Sequence, residues 1–291
     1  MTDTGRIVKG FGELYTVLTD DKNSVDCGVR GSLKHFGAIP LVGDLVKFEE
    51  SENGRPTICE IIGRKNSLIR PPIANLDKLF IVVSTRSPSP SYETIDKITC
   101  ASYIKGIEPI IVINKTDLRS AEEIKEIYTK TGIKVFEVCA KTGEGVKELY
   151  GEISGICAFA GASGVGKSSL MNALFPKLSL AVGNISEKNQ RGKHTTRTVE
   201  LFETENGFFA DTPGFGLVDF EHFDFLTFEE LPKSFPEFEK YLGNCRYTSC
   251  THTKESDCAI VCAVENGEIA KSRHESYVEM YGVLKNKKQY K

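Results

Sequence analysis

The chain has 291 residues, enough for two or three domains rather than one small core. Its 37 Lys and Arg against 40 Asp and Glu give a net charge of -3, which excludes a uniformly basic nucleic-acid binder and leaves such contacts to local patches. A hydrophobic content of 40% excludes wholesale disorder.

From residue 5 to about 66, short β-branched and aromatic runs are broken by glycine or charged turns. GRIVKGFGELYTVLT, SVDCGVRGSL, DLVKFEES and PTICEIIG predict roughly five strands with no helical period between them. Such a set closes into a small barrel of the oligonucleotide-binding (OB) type, with an SH3-like barrel as the alternative. The stretch from Arg64 to Pro72 is basic and ends in two prolines, which reads as a linker. The period then changes. LDKLFIVVS, EPIIVIN and IKVFEVCA read as buried strands, with helices predicted over ETIDKITCASYIKG and AEEIKEIYTKTG. This alternation predicts βαβ units and a mostly parallel sheet, continued by the strand ICAFAG, a helix after Lys167 and the strand GFFAD. Past about residue 222 the alternation stops, and a Cys/His cluster and a helix from Ser272 form a third unit. The expected boundaries are 1–66, 67–224 and 225–291.

The apolar runs Leu79–Val83 and Ile110–Ile113 are too short to cross a bilayer. The first residues carry Asp3 and Glu13 without an apolar core or cleavage site, so no signal peptide is expected. Six of the nine cysteines are scattered singly, as in a chain of the reducing cytoplasm without a disulfide framework.

Gly161-Ala162-Ser163-Gly164-Val165-Gly166-Lys167-Ser168 fits G-x-x-x-x-G-K-[ST] between a predicted strand and a predicted helix, with Ser169 following. Its glycines let backbone N–H groups wrap phosphates at a helix N-terminus. Lys167 reaches the outer phosphates and the Ser168 hydroxyl can ligate Mg²⁺. This is a nucleoside triphosphate site. Asn114-Lys115-Thr116-Asp117 closes the strand EPIIVIN, and the Asp117 carboxylate can accept from both N1–H and the exocyclic amine of guanine, a pair that adenine lacks. Cys139-Ala140-Lys141-Thr142-Gly143 follows the next strand, and its backbone amides can meet the guanine oxygen. Asp211-Thr212-Pro213-Gly214 ends the strand GFFA, where Asp211 would hold Mg²⁺ through water and the Gly214 N–H would sense the γ-phosphate.

Together these motifs resemble the translation-factor-related GTPases, but in a different order: Asn114 precedes Gly161, so the domain reads as circularly permuted. Permutation preserves a fold whose old termini lie close together. With a barrel before it and a Cys/His unit after it, the whole chain resembles the RsgA (YjeQ/YloQ) family of small-ribosomal-subunit-dependent GTPases. The resemblance implies a cytoplasmic monomer away from membranes, acting in late maturation of the small subunit. GTP hydrolysis (EC 3.6.-.-) would be stimulated by the subunit and its rRNA and coupled to release. It also places the first switch in Gln190–Arg197, where Thr195 or Thr196 closes over Mg²⁺ and the γ-phosphate.

After Asp-x-x-Gly, Ras-like GTPases carry a glutamine that orients the attacking water; here Phe215 follows, so the missing group comes from elsewhere. His194 is the catalytic candidate within the chain, and a ribosomal group is the alternative. Cys245, Cys250, His252 and Cys258 have the composition of a closed, structural Zn²⁺ site, with Cys262 as a possible substitute ligand and an Fe–S cluster as the other metal reading. Their surroundings, RYTSCTHTKESD, hold almost no apolar residues, so metal must supply folding energy. Local basic patches at Arg64-Lys65, Lys188–Arg197 and Lys285–Lys291 would meet RNA phosphates. The competing expectation is a GTP-dependent switch that recruits a protein partner without RNA, and a small-molecule kinase is the third.

Overall fold

The computed structural model of the chain describes residues 2–31, 33, 39–50, 54–68, 71–176, 199–211 and 226–287. In chain order its first strands are β1 (Thr2–Phe11), β2 (Leu14–Thr19), β3 (Ser24–Val29), β4 (Leu45–Glu49), β5 (Thr57–Ile62), β6 (Ser67–Leu68) and β7 (Ile73–Ala74). There follow β8 (Lys78–Ser84), β9 (Glu108–Asn114), β10 (Lys134–Glu137), β11 (Gly155–Ala160), β12 (Glu200–Thr204) and β13 (Gly207–Asp211). The helices are α1 (Tyr92–Ile104), α2 (Glu122–Thr129), α3 (Val146–Gly151), α4 (Lys167–Leu174), α5 (Ala259–Glu265) and α6 (Lys271–Lys287). Two 3-10 helices, Leu231–Ser234 and Pro236–Tyr241, precede α5. The chain divides into two compact units, one of Met1–Leu79, Glu152–Phe159 and Leu180–Phe215, the other of Phe80–Gly151, Ala160–Ser179 and Gly216–Lys291.

In the first unit β1 pairs with β2 along Gly5–Phe11 and with β4 along Thr2–Arg6, while β5 joins β4 and, in parallel, β3. The strand order β1-β2-β3-β5-β4 therefore returns to β1, and the five expected strands close into a barrel. A register shift between Ile7 and Lys9 lets β1 bend between its two neighbours. Alternate residues point inward: Ile7, Val17, Cys27, Val46, Phe48 and Ile58 are buried, each large apolar side chain contributing about 1.5–3 kcal/mol.

The expected linker is strapped down instead. Its β6 pairs with β7 just beyond it, putting Ser67 opposite Ala74 and Leu68 opposite Ile73. Leu68 and Ile73 are buried, and the prolines occupy the turn between them. β13 lies parallel to β11 and antiparallel to β12. The sequence reading omitted β12; the tight turn at Glu205-Asn206-Gly207 was the signal that marks it as half of a hairpin.

In the second unit β9 lies between β8 and β10 and runs parallel to β10. Residues 79–84 and 109–114 are buried without alternation, as in strands covered on both faces. Ser91 caps α1 by accepting from the Thr94 amide. The tail is mainly helical, as expected. Leu231, Phe235, Phe238, Ile260, Tyr277 and Met280 share one core with Cys100 of α1, and Phe238 and Tyr277 meet edge-on with ring centroids 5.1 Å apart. Among the described residues no helix is long and apolar enough to cross a membrane.

Candidate functional site

β11 runs into Gly161–Ser168, and α4 starts at Lys167, so the phosphate-binding sequence occupies the strand-to-helix turn that its chemistry requires. Two of its glycines are obligatory. At Gly161, with φ +136°, a Cβ would stand 2.2 Å from the Val82 carbonyl oxygen. At Gly166, the left-handed N-cap of α4 with φ +100°, it would stand 2.3 Å from Asn114 Nδ2. The loop lies directly on β8 and the end of β9, and only backbone fits between. Val165 is buried beneath it, while Ser163, Ser168 and Ser169 are exposed. Lys167 Nζ donates to the carbonyls of Gly161 at 2.7 Å and Ala162 at 2.8 Å. Burial lowers its pKa from the ordinary lysine value, and an anion beside it would favour the charged form.

Asn114 explains how the guanine motif meets this loop. Its side chain is 2% exposed. Nδ2 donates to the Val165 carbonyl at 3.0 Å, and Oδ1 accepts from the Ala140 amide at 3.2 Å. One buried amide therefore ties together the phosphate loop and the loop carrying Ala140 and Lys141. Lys115, held at φ +63°, donates from Nζ to Ser87 O at 2.5 Å and Gly164 O at 2.6 Å. Thr85 fixes that strained backbone from below, with Oγ1 donating to Lys115 O at 2.6 Å. Thr116 Oγ1 donates to Val138 O at 3.2 Å, which leaves Asp117 as the exposed end of the motif. Sequence reasoning gave Asn114 to the nucleotide and missed the Thr85–Ser87 loop altogether. A buried strut is invisible until its two partners are placed.

Asp211 ends β13, half-buried, and burial with the Glu200 charge raises its pKa above the usual carboxylate value. Gly214, His194, Thr195 and Thr196 lie outside the described residues, as do Phe215 and the basic run Lys188–Arg197.

The metal-ligating quartet forms one cluster. Ligand atoms of Cys245, Cys250, His252 and Cys258 all lie within 4.8 Å of one another. Cys245 Sγ is 3.4 Å from His252 Nδ1 and 3.8 Å from Cys258 Sγ, and Cys258 Sγ is 3.5 Å from the same nitrogen. A tetrahedron with metal–sulfur bonds of about 2.3 Å has edges of about 3.8 Å, so the spacings among Cys245, His252 and Cys258 match those of a Zn²⁺ site. Cys262 is exposed on α5 and lies outside the cluster. Burial keeps His252 below its ordinary pKa, hence neutral and ready to ligate. Burial and the neighbouring Cys258 and Cys245 push the metal-free Cys250 thiol up to about 12, so a cation must displace protons to bind.

Glu255 shapes the loop. It accepts from the amides of Thr251 at 2.8 Å, Thr253 at 3.0 Å and Lys254 at 3.1 Å, and from the Thr251 hydroxyl. Burial opposes its ionisation, but those donors prevail and lower its pKa to about 2.

The charges of one expected RNA patch have partners within the chain. Arg64 donates from Nε and Nη2 to the fully buried Asp44 carboxylate at 2.8 and 2.5 Å, and Lys65 pairs with Asp77. Both charges are engaged within the first unit, the Arg64 pair on a buried carboxylate and the Lys65 pair at the surface.

Comparison with known proteins agrees with this architecture. The RsgA GTPase family model matches residues 61–221, the RsgA N-terminal domain model residues 4–58, and a model described as a 50S ribosome-binding GTPase residues 156–289. A Geobacillus kaustophilus protein, small ribosomal subunit biogenesis GTPase RsgA, is 41% identical across 98% of each chain. The protein of that name from Caldanaerobacter subterraneus is 39% identical over 97% of this chain and 96% of its own. Among solved structures, YloQ, described as a circularly permuted GTPase, superposes with a TM-score of 0.80 at 32% identity, covering 99% of this chain and 96% of its own. YjeQ from Thermotoga maritima gives 0.79 at 32% identity, covering 98% and 99%.

Proposed function

The chain belongs to the RsgA GTPase family, and from that premise we propose that it serves late maturation of the small ribosomal subunit, hydrolysing GTP when docked there and leaving afterwards. Its activity is GTP hydrolysis. The observation that carries the reading is Asn114, whose one buried amide joins the phosphate loop at Val165 to the Ala140 loop. Motifs read in permuted order along the chain therefore serve one nucleotide.

In this reading Gly161–Ser169 cradle the phosphates and Lys167 leaves its loop carbonyls for the outer ones. Asp117 takes the guanine edge. The Ala140 amide is already given to Asn114, so Lys141 supplies the amide for the guanine oxygen. Ser168 and Asp211 would hold Mg²⁺, which neutralises charge developing on the phosphates. Thr195 or Thr196 closes the switch, and His194 or a ribosomal group positions water. His194→Ala is expected to lower stimulated turnover far more than GTP affinity; unchanged stimulated turnover removes it from the mechanism. The quartet at Cys245–Cys258 holds one structural Zn²⁺. The domain boundaries we retain are 1–66, 67–224 and 225–291, in a cytoplasmic monomer whose barrel and tail face rRNA.

The test is steady-state GTP hydrolysis with and without purified small subunits, with ATP and large subunits as controls. Strong, GTP-specific stimulation by small subunits alone supports the reading. Stimulation by large subunits alone, or none, ends it. The engaged charges of Arg64 and Lys65, with the net charge of -3, favour the second reading of a switch that binds a protein partner without RNA. Salt-insensitive binding to small subunits would favour it further.

A further inference from the structure

Arg273, in the first turn of α6, is a fully buried arginine that the GTP site does not use. Its Nε and Nη2 grip Glu237 at 2.7 and 3.2 Å, a forked contact to the second 3-10 helix of the tail. Its Nη1 reaches α1, donating to Asp96 Oδ1 at 2.6 Å and Thr99 Oγ1 at 3.2 Å. Tyr128 of α2 donates to the same Asp96 oxygen at 2.8 Å, and the Phe235 ring lies 4.5 Å from the guanidinium. Both carboxylates and the arginine are buried. Replacing such a set by apolar groups of similar volume is often neutral or stabilising, so stability does not explain it; geometry does.

The same turn of α6 holds the metal loop. His274 Nε2 donates to the His252 carbonyl at 2.8 Å, and Tyr277 Oη donates to the Thr251 carbonyl at 2.7 Å. One helical turn therefore binds α1 through Arg273 and the metal-ligand loop through His274 and Tyr277. α1 in turn begins at the loop whose Ser87 carbonyl holds Lys115. Hydrogen bonds, α1 and the short loop from Ser87 to Ser91 thus connect the metal loop to the guanine motif.

We propose that Arg273 is a positioning residue that makes the metal loop and α1 one lever, so that docking the tail on a small ribosomal subunit moves the Lys115 motif and stimulates hydrolysis. This rests on the proposed function. It supplies a route through α1, distinct from the Asp211–Gly214 motif.

The experiment measures GDP affinity, zinc content, co-sedimentation with small subunits, and hydrolysis with and without them. Wild type is measured first: absent stimulation there refutes the proposed function and leaves the joint without its premise. In D96N/E237Q/R273M the three charges go together and the shape stays. The expected result is wild-type GDP affinity, zinc content, unstimulated hydrolysis and subunit binding, with stimulated turnover lower by about tenfold, the range of ordinary coupling between sites. Arg273→Lys, which keeps a cation but loses the fork, should fall between. Full stimulation in the triple variant overturns the proposal, as does subunit binding lost in step with stimulation. Should the triple variant not bind GDP, Arg273→Lys decides, and wild-type stimulation there overturns it.

Discussion

The phosphate loop and the metal loop are both irregular segments that hold charge, yet they are built in opposite ways. The first presents backbone and is pressed onto the ends of β8 and β9, where Val82 and Asn114 leave no space for a Cβ at Gly161 or Gly166. The second presents side chains from a stretch poor in apolar residues, braced by Glu255 and two donors of α6. A site made of backbone borrows its rigidity from the core behind it. A site made of ligands borrows rigidity from the ion. The two should therefore fail for different reasons.

The sharpest break is removal of the metal. Structural zinc binds with apparent free energies of about 10–16 kcal/mol, most of it folding energy of the loop it closes. Chelation is expected to abolish amide-exchange protection over Cys245–Cys258 while GDP affinity stays unchanged, because the Asn114 strut lies elsewhere. Protection that persists after complete zinc removal would mean that Glu255 and α6 suffice.

The next largest effect concerns the buried triad. Arg273→Met leaves Asp96 and Glu237 as unpaired buried carboxylates and should cost about 3–5 kcal/mol. Neutralising all three groups should cost far less, and comparison of urea midpoints reads the difference. Equal destabilisation by the two variants would mean that packing, not charge pairing, sets the cost.

Gly161→Ala comes third. A non-glycine residue in that backbone region carries about 1–3 kcal/mol of strain, and the added Cβ must also push the Val82 carbonyl aside. Nucleotide affinity should fall about 10- to 100-fold with zinc content retained, which is the mirror image of chelation. Wild-type nucleotide affinity in this variant would show that the loop has more freedom than its contacts suggest.

Local signals carried most of the fold and the outline of both sites. The strands β8 and β9 stood out as unbroken apolar runs, and the metal quartet by ligand type and spacing. What escaped the sequence depends on partners far along the chain. Arg273 sits among other charged residues of α6, and its partner Asp96 is 177 positions away. Nothing local separates it from a solvated arginine. Asn114 reads the same whether it binds a base or braces Val165, 51 positions on. Arg64 and Lys65 look like an RNA patch until Asp44 and Asp77 are placed beside them.

The smallest effect tests the brace of the metal loop by pH. Glu255 has a pKa lowered from 4.5 to about 2 in the folded chain, by the Thr251 hydroxyl and the surrounding amides acting against burial. A depressed carboxylate pKa contributes stability that is fully present above the unfolded value, near 4.5, and is lost as pH falls through that value toward 2. Glu255→Gln retains an acceptor oxygen but no charge, so its melting temperature should lie slightly below wild type at pH 7. The gap should hold from pH 7 to about 5 and close as pH falls from 4.5 toward 2. Protonation of the cysteine and histidine ligands lowers both proteins together and cancels in the difference. A gap that stays constant down to pH 3 would place the contribution of Glu255 in the shape of its hydrogen bonds, leaving the loop held by its metal and by α6 without help from the carboxylate charge.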